Sequence, residues 1–247
     1  MLIKHISIVI MAKNAEETIE ECLQSLIRFR EVILYLNDSV DKTKELATHY
    51  TNVKIFEGEF IGFGPTKNKA ASFAKNDWIL SLDSDEILNN VLINEILQQN
   101  YNHENVVFIL KRDNYFLGAN TISKDYIARI YNSKHTELNQ NTVHEKVMIS
   151  KSTQVKKLKH SFRHLNITDI NQTLTKMIKY TDLAAENKKI CFFPIVIAKA
   201  VFAFIQSYFL RLYFLDGWRG FTISITNANS RFYKYLKQYI NCQDGTK

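Results

Sequence analysis

Glycine and proline are scarce in this chain, seven and two among 247 residues, so no flexible linker marks a domain boundary. Cysteine is scarcer than the count of three suggests, because Cys22, Cys191 and Cys242 lie far apart without CxxC spacing. That pattern predicts neither a disulfide framework nor a zinc cluster, and it suits a reducing cytoplasm. No signal peptide is read at the start, since the apolar run in MLIKHISIVIMAKN is short and alternates with polar residues. A clean bilayer span is also missing. From Ile190 to Leu215 the chain is strongly apolar but carries Lys199, Gln206 and Arg211, whereas a spanning helix needs roughly 20 nearly uninterrupted apolar residues.

Acidic excess is absent too: the formal net charge is +7, so the chain seeks anions such as phosphorylated small molecules or lipid head groups. A nucleic-acid reader would show a basic stripe with stacking aromatics. Here the cations are scattered, apart from Lys156-Lys157-Leu158-Lys159, so nucleic acid is not an expected partner. The hydrophobic share of 46% against 23% charged is that of a globular protein and not a disordered one.

The first part alternates strands and helices. Ile6–Met11, Glu31–Leu36, Val53–Phe56 and Trp78–Leu82 are short apolar runs rich in β-branched residues, read as strands. Between them, Asn14 with Glu17 three residues on forms a capping-box pattern for a helix to about Leu26. Asp41 to about His49 and Pro65–Ala74 read as helices, the second started by proline in its first turn. Asn90–Gln98 is another helix. This is an α/β pattern with a mostly parallel sheet, in which ligands bind at the carboxyl ends of the strands. Three polar clusters stand at those ends: Lys13-Asn14, Asn37-Asp38 and Asp83-Ser84-Asp85.

Val106–Lys111, Tyr126–Tyr131, Lys146–Ile149 and Val155–His160 read as strands of an α+β extension closing over the sheet. The chain then turns helical, with Thr168 as a cap and Ile170, Leu174, Met177 and Ile178 at helical spacing. Beyond Trp218, Arg219, Arg231, Lys234 and Lys237 mix with Phe221, Phe232, Tyr233 and Tyr235, which suits an anionic membrane surface. Residues 1–165 are expected to form the catalytic domain and 166–247 a helical, membrane-associating region.

The sharpest chemical signal is Asp83-Ser84-Asp85-Glu86 after the strand WILSL. Two carboxylates two residues apart can converge on one hard cation, Mg²⁺ or Mn²⁺, which prefers oxygen ligands and bridges to substrate phosphates. A metal there would neutralise a leaving diphosphate. An isolated DxD is a weak signal, and a solvated turn with a helix cap is the plainer reading. Position at the fourth strand end raises the metal reading above it. His160 and His164, four apart, would share a helical face; without a third ligand nearby, a zinc site is not expected.

The stretches ISIVIMAKNAEETIEECLQSL, EGEFIGFGPTKNKAASFAKNDWILSLDSDE, KRDNYFLG, VHEKV, KYTDLAAE and FLRLYFLDGWRGF run collinearly through nearly the whole chain. Together they resemble the inverting family-2 glycosyltransferases with the GT-A fold, and within them the bacterial lipopolysaccharide inner-core β-1,4-glucosyltransferases. The resemblance implies that Ala12, Lys13 and Asn14 line a nucleotide pocket with Asn37, Asp38 and Ser84. It places Lys67 and Asn68 beside the uracil or diphosphate, Asp83 on the ribose and Asp85 on the metal. It also implies Glu145, in VHE, as catalytic base, and His164 as a later metal ligand beside Asp83 and Asp85. Relatives carry an Asp after the second strand where this chain has Leu36, so Asn37 or Asp38 would take that contact by a local shift. The implied reaction moves a hexose from UDP-glucose or another UDP-hexose to a heptose of the lipopolysaccharide core, at the inner face of the inner membrane. A capsule, polyprenyl-linked or protein acceptor is the alternative, and a non-enzymatic nucleotide-binding module the reading of another class.

Overall fold

Strand β1, Ile6–Ala12, alternates its side chains between two apolar layers. Ile6, Ile8 and Ile10 join one buried cluster with Leu23, Phe29, Leu34, Leu80 and Ile93. Val9 points the other way, with Ile33, Tyr35, Ala70 and Tyr131. A strand buried on both faces needs helices on both sides of its sheet, and these are present. The structure, a computed structural model, describes residues 2–141, 145–185 and 188–244.

After β1 come α1 (Ile19–Ser25), β2 (Val32–Leu36), α2 (Thr43–Ala47), β3 (Val53–Glu57), α3 (Phe63–Ala71) and β4 (Trp78–Asp83). Then follow β5 (Glu86–Ile87), α4 (Asn90–Leu97), β6 (Val106–Phe116), β7 (Ala119–Asn132) and β8 (Gln154–Ile167). The sheet order is β3-β2-β1-β4-β7-β6-β8-β5. β1 pairs in parallel with β2 and β4, and β2 with β3; β4 meets β7 antiparallel. The expected α/β class, a largely parallel sheet between helices, is met. Because Ala12 lies opposite Leu36 and Met11 opposite Asp83, the carboxyl ends of β1, β2 and β4 finish side by side.

Several local expectations are corrected. Asn14 does not cap a helix: it sits at φ 50°, its Oδ1 accepts from the Val40 N–H at 2.9 Å, and α1 starts only after Thr18. The long-range partner outcompetes the local capping box. The Lys146–Ile149 strand is reduced to one bridge, Leu138 with Val147. Strands β6 to β8 do not close over the sheet but extend it, with β7 antiparallel to β4 and β8 running alongside β6 from Gln154 beside Asn105 to Ile167 beside Leu117. His160 and His164 lie on a strand, not a helix, and His160 Nδ1 is taken by Glu95 at 2.8 Å.

The chain divides into two compact units. Met1–Asp113 with Asp125–His164 form the first, and Asn114–Lys124 with Leu165–Lys247 the second. The tip of the β6–β7 hairpin thus belongs with the helices α5 (Ile170–Ala185), α6 (Phe193–Ile205) and α7 (Gly217–Asp244). Within that unit two of the quoted stretches interlock. Leu117 and Gly118 of KRDNYFLG turn the hairpin at positive φ. The Ile122 N–H donates to both carboxylate oxygens of Asp216 at 3.0 Å, and Arg219 reaches the Leu117 carbonyl at 3.3 Å. Both partners come from LDGWRGF. Gly220 has no room for a side chain, because a Cβ there would stand 1.7 Å from the Tyr213 carbonyl oxygen.

Two further expectations fail in this unit. Cys191 and Cys242 form a disulfide, with Cα atoms 5.5 Å apart, while Cys22 is free and buried. α7 packs back along α6, so Cys242 returns beside Cys191, a closeness that sequence distance hides. Cysteine usage therefore no longer favours a reducing compartment. The apolar run also passes the test it was expected to fail: Phe193–Leu210 is a continuous helical stretch of 18 residues with mean hydropathy 1.7, only 17% buried. Gln206 is uncharged and Arg211 lies just past the end of this stretch, which leaves Lys199 as its single charge. By length and composition alone, this is one helix able to cross a membrane.

Candidate active site

Asp83 ends β4, a strand whose preceding residues are fully buried. Its backbone is paired on one side with Met11 of β1, and its N–H donates to Glu86 Oε2 at 3.0 Å. The carboxylate is claimed by two cations. Oδ1 lies 2.6 Å from Lys67 Nζ and Oδ2 lies 2.7 Å from Arg129 Nη2. Burial alone would raise the Asp83 pKa, but these two cations hold it well below the usual carboxylate range. Lys67 and Arg129 are themselves buried. Burial disfavours their charged forms, but Asp83 and Glu145 around Lys67, and Glu86 and Asp83 around Arg129, leave both pKa values raised.

Lys67 makes a second contact, to Glu145 Oε1, also at 2.6 Å. The two carboxylates expected to act together therefore share one ammonium, although they lie far apart in sequence. Arg129 likewise bridges Asp83 and Glu86. Glu86 is fully buried and also lies 3.4 Å from Arg112. Burial raises its pKa, Arg129 opposing and the nearby Asp83 and Asp85 reinforcing the shift.

Asp85 stands in the turn after β4. Its Oδ2 is 3.4 Å from Nε2 of His164, which β8 delivers there by pairing opposite Glu86. A carboxylate oxygen and an imidazole nitrogen are a donor pair of the kind a divalent cation accepts. Among the described residues no three acidic, histidine or cysteine side chains converge on one point. Asp83, the other expected metal ligand, has Lys67 on one oxygen and Arg129 on the other, which disfavours a further cation there but leaves each oxygen able to accept a hydroxyl.

The nucleotide-side candidates gather at the ends of β1 and β2. The Ala12 carbonyl accepts from the Asn37 N–H at 3.2 Å. Lys13 faces Asp38 at 3.7 Å, both exposed, and Asn14 and Asp38 each adopt positive φ. Leu36 is a core residue, so it offers no polar contact. Asn37 is buried, and its Oδ1 accepts no hydrogen bond among the described residues. Ser84 is half-buried in the turn between Asp83 and Asp85. Asn68 is held by Leu138: its amide donates to the Leu138 carbonyl at 2.8 Å and accepts the Leu138 N–H at 3.0 Å. His144, beside Glu145, lies outside the described residues.

Sequence reading missed Arg129 and Arg112. The signal for Arg129 was present: a lone arginine in the apolar strand IARIY must be buried, and a buried cation needs carboxylate partners.

The model of the family described as Glycosyl transferase family 2 matches residues 7–162. An uncharacterized glycosyltransferase of Rickettsia bellii is 28% identical over 257 residues, covering 96% of this chain and 87% of that protein. The lipopolysaccharide core biosynthesis glycosyltransferase LpsC of Rhizobium meliloti is 24% identical, covering 95% of this chain and 92% of its own length. Among solved structures, S. aureus TarS 1–349 in complex with UDP-GlcNAc is 13% identical with a TM-score of 0.46, covering 97% of this chain and 92% of that one.

Proposed function

The chain belongs to glycosyl transferase family 2, and on that premise we propose that it is an inverting, metal-dependent hexosyltransferase of the GT-A type. The donor is a UDP-hexose, UDP-glucose in the leading reading. The acceptor is a lipid-linked saccharide, a heptose of the lipopolysaccharide core. The observation that carries the chemistry is the shared ammonium: Asp83 and Glu145 both lie 2.6 Å from Lys67 Nζ. That sharing supports reading Asp83 and Glu145 as parts of one site, the first contacting the donor and the second acting as base.

Each residue then has a task. Ala12, Lys13 and Asn14 form one wall of the nucleotide site and Asn37 with Asp38 the other. Asn37 Oδ1, an acceptor lacking a donor, suits an imino N–H of the base and replaces the contact that Leu36 cannot make. An unsatisfied buried acceptor costs about 1–3 kcal/mol, which donor binding would recover. Asp83 receives the ribose hydroxyls, and Ser84 lies beside the phosphates. Asp85 and His164 hold Mg²⁺ or Mn²⁺, which when bound neutralises charge on the departing diphosphate. Glu145 takes the proton from the acceptor hydroxyl as that oxygen attacks the anomeric carbon. One base and one displacement invert the anomeric centre.

The second unit supports placement at a membrane. Phe202, Phe209, Leu210, Leu215 and Trp218 are more than half exposed, and Arg219 stacks 4.5 Å from the Trp218 ring. A water-soluble surface seldom exposes so many large apolar groups together; a peripheral protein on the cytoplasmic face of an anionic inner membrane does. The overall match to LpsC, named for lipopolysaccharide core biosynthesis, favours that acceptor over capsule or polyprenyl-linked ones.

The experiment is sugar transfer by purified protein with Mn²⁺, across a panel of UDP-sugars and with core heptose or polyprenyl-phosphate acceptors. Glu145→Gln should bind UDP normally and lose about 10²-fold in kcat. Undiminished turnover in Glu145→Gln removes the base assignment, and transfer only to polyprenyl-phosphate acceptors removes the core acceptor.

A further inference from the structure

Lys67 is more deeply buried than either carboxylate it touches, its side chain being 1% exposed against 34% for Asp83 and 18% for Glu145. A lysine placed to bind incoming diphosphate would present its ammonium to solvent. This one is spent inward, on two protein carboxylates. Its helix explains how it gets there. Gly64, Lys67 and Asn68 fall at i, i+3 and i+4, one face of α3, and all three meet the segment that carries Glu145.

Gly64 allows the closest approach. A Cβ there would stand 1.8 Å from the Asn139 carbonyl oxygen, and its N–H donates to the Asn141 carbonyl at 3.2 Å. Asn68 clasps both backbone groups of Leu138. The Asn139 N–H donates in turn to the Lys146 carbonyl at 2.9 Å, which ties the two sides of the segment together next to Glu145. α3 is thus a platform on which the Glu145 segment is docked, and Lys67 is the one member of that face that reaches the carboxylate itself.

Among the described residues, Glu145 has Lys67 as its ion-pair partner through Oε1, while Oε2 accepts no hydrogen bond. One oxygen is anchored and the other is open. We propose that Lys67 is a positioning residue: its ammonium fixes Glu145 Oε1 against Asp83 Oδ1 and so presents Glu145 Oε2 to the acceptor hydroxyl. The inference rests on the reading of Glu145 as base given above. In the step it serves, the acceptor O–H bond breaks and its proton passes to Glu145 Oε2. The new bond forms between that oxygen and the anomeric carbon, and the bond from the anomeric carbon to diphosphate oxygen breaks with its electron pair leaving on the diphosphate. Lys67 neither gives nor receives a proton. It supplies orientation, which is worth large factors when a reacting group is otherwise free to turn.

The test is a double-mutant cycle on the full chain with Lys67→Met, Glu145→Gln and both together, reading kcat, donor KM and UDP affinity by calorimetry. Asp83 keeps Arg129 in Lys67→Met, so donor KM and UDP affinity should stay within about threefold, while kcat falls by about 10²-fold. The double variant should be no slower than Glu145→Gln, because Lys67 acts only through Glu145. Wild-type kcat in Lys67→Met overturns the proposal. A raised KM at unchanged kcat also overturns it, making Lys67 a donor-binding residue. So do losses that multiply in the double variant. Should Lys67→Met fail to fold, as judged by thermal melting and lost UDP binding, Glu145→Asp replaces it. That change withdraws the carboxylate by one methylene and leaves the buried Asp83–Lys67–Arg129 cluster intact. It should lose kcat with UDP affinity kept, and wild-type kcat there overturns the proposal equally. Full activity in Glu145→Gln would instead sink the base assignment itself, an outcome distinct from an inactive Glu145→Gln beside an active Lys67→Met.

Discussion

His164 Nε2 stands 3.4 Å from Asp85 Oδ2, joining the far end of β8 to the turn that follows β4. Neither residue alone indicates a metal. Together they supply a nitrogen and an oxygen donor at the site where the diphosphate is expected. Asp85→Ala and His164→Ala should each weaken Mn²⁺ binding in the presence of UDP by at least about 10-fold, read by the paramagnetic signal of free Mn²⁺ and matched by a higher Mn²⁺ requirement for turnover. The fold should survive, since both side chains are partly exposed. Unchanged Mn²⁺ affinity in both variants would remove these residues from the metal shell.

Asn37 is expected to read the base. Replacing it with leucine satisfies burial but removes the acceptor. Donor KM should rise by about 10-fold with kcat little changed, the signature of a contact made equally in ground and transition states. UDP affinity should fall in step. A normal KM would return Asn37 to an ordinary strand-end residue.

Much of the fold was legible in the sequence because burial on both faces leaves unbroken apolar runs. Ile6–Ala12, Val32–Leu36 and Trp78–Asp83 are visible for that reason. The candidate site was legible in part. Asp83, Asp85 and Glu145 stand out within motifs, but their ion partners Lys67 and Arg129 are set by tertiary approach. The Asn14 capping box failed because Val40 supplies a partner from another loop. The Cys191–Cys242 bridge was hidden for the same reason: α7 reverses along α6 over 51 residues of separation, which no local spacing encodes.

Glu31 makes a prediction about acid stability. The residue is buried. Burial raises its pKa, but hydrogen bonds from the Lys54 ammonium, the Ser7 hydroxyl and the Lys75 backbone N–H, together with the Lys54 charge, leave it lowered from 4.5. A carboxylate with a depressed folded-state pKa contributes stability that is complete above its unfolded value and disappears as pH falls through the folded one. Denaturant unfolding at pH 7 should show Glu31→Gln less stable than wild type, by about 1–3 kcal/mol for a buried charged hydrogen-bond acceptor lost. The gap should narrow steadily below pH 4.5. A gap that stays constant between pH 7 and pH 3 would show that the lost stability is not electrostatic.

The proposed membrane placement makes a prediction at the exposed apolar groups of the second unit. Phe209, Leu210 and Trp218 are 54%, 69% and 60% exposed, so changing them to serine should cost little folding stability. Each carries up to about 1.5–3 kcal/mol of transfer free energy if it enters lipid. Arg211 and Arg219 flank them in sequence, with Lys234 beyond, and cations there add attraction only when head groups are anionic. Wild-type protein should therefore float with phosphatidylglycerol-containing vesicles, more weakly with neutral ones and less at high salt. The triple serine variant should lose at least about 10-fold in partitioning while keeping UDP binding. A protein that ignores both vesicle types but forms a dimer, dissociated by the same three substitutions, would assign this surface to a second copy of the chain. The membrane placement would then fall, while the reading of Asp83, Lys67 and Glu145 would stand, because it uses no residue of that unit.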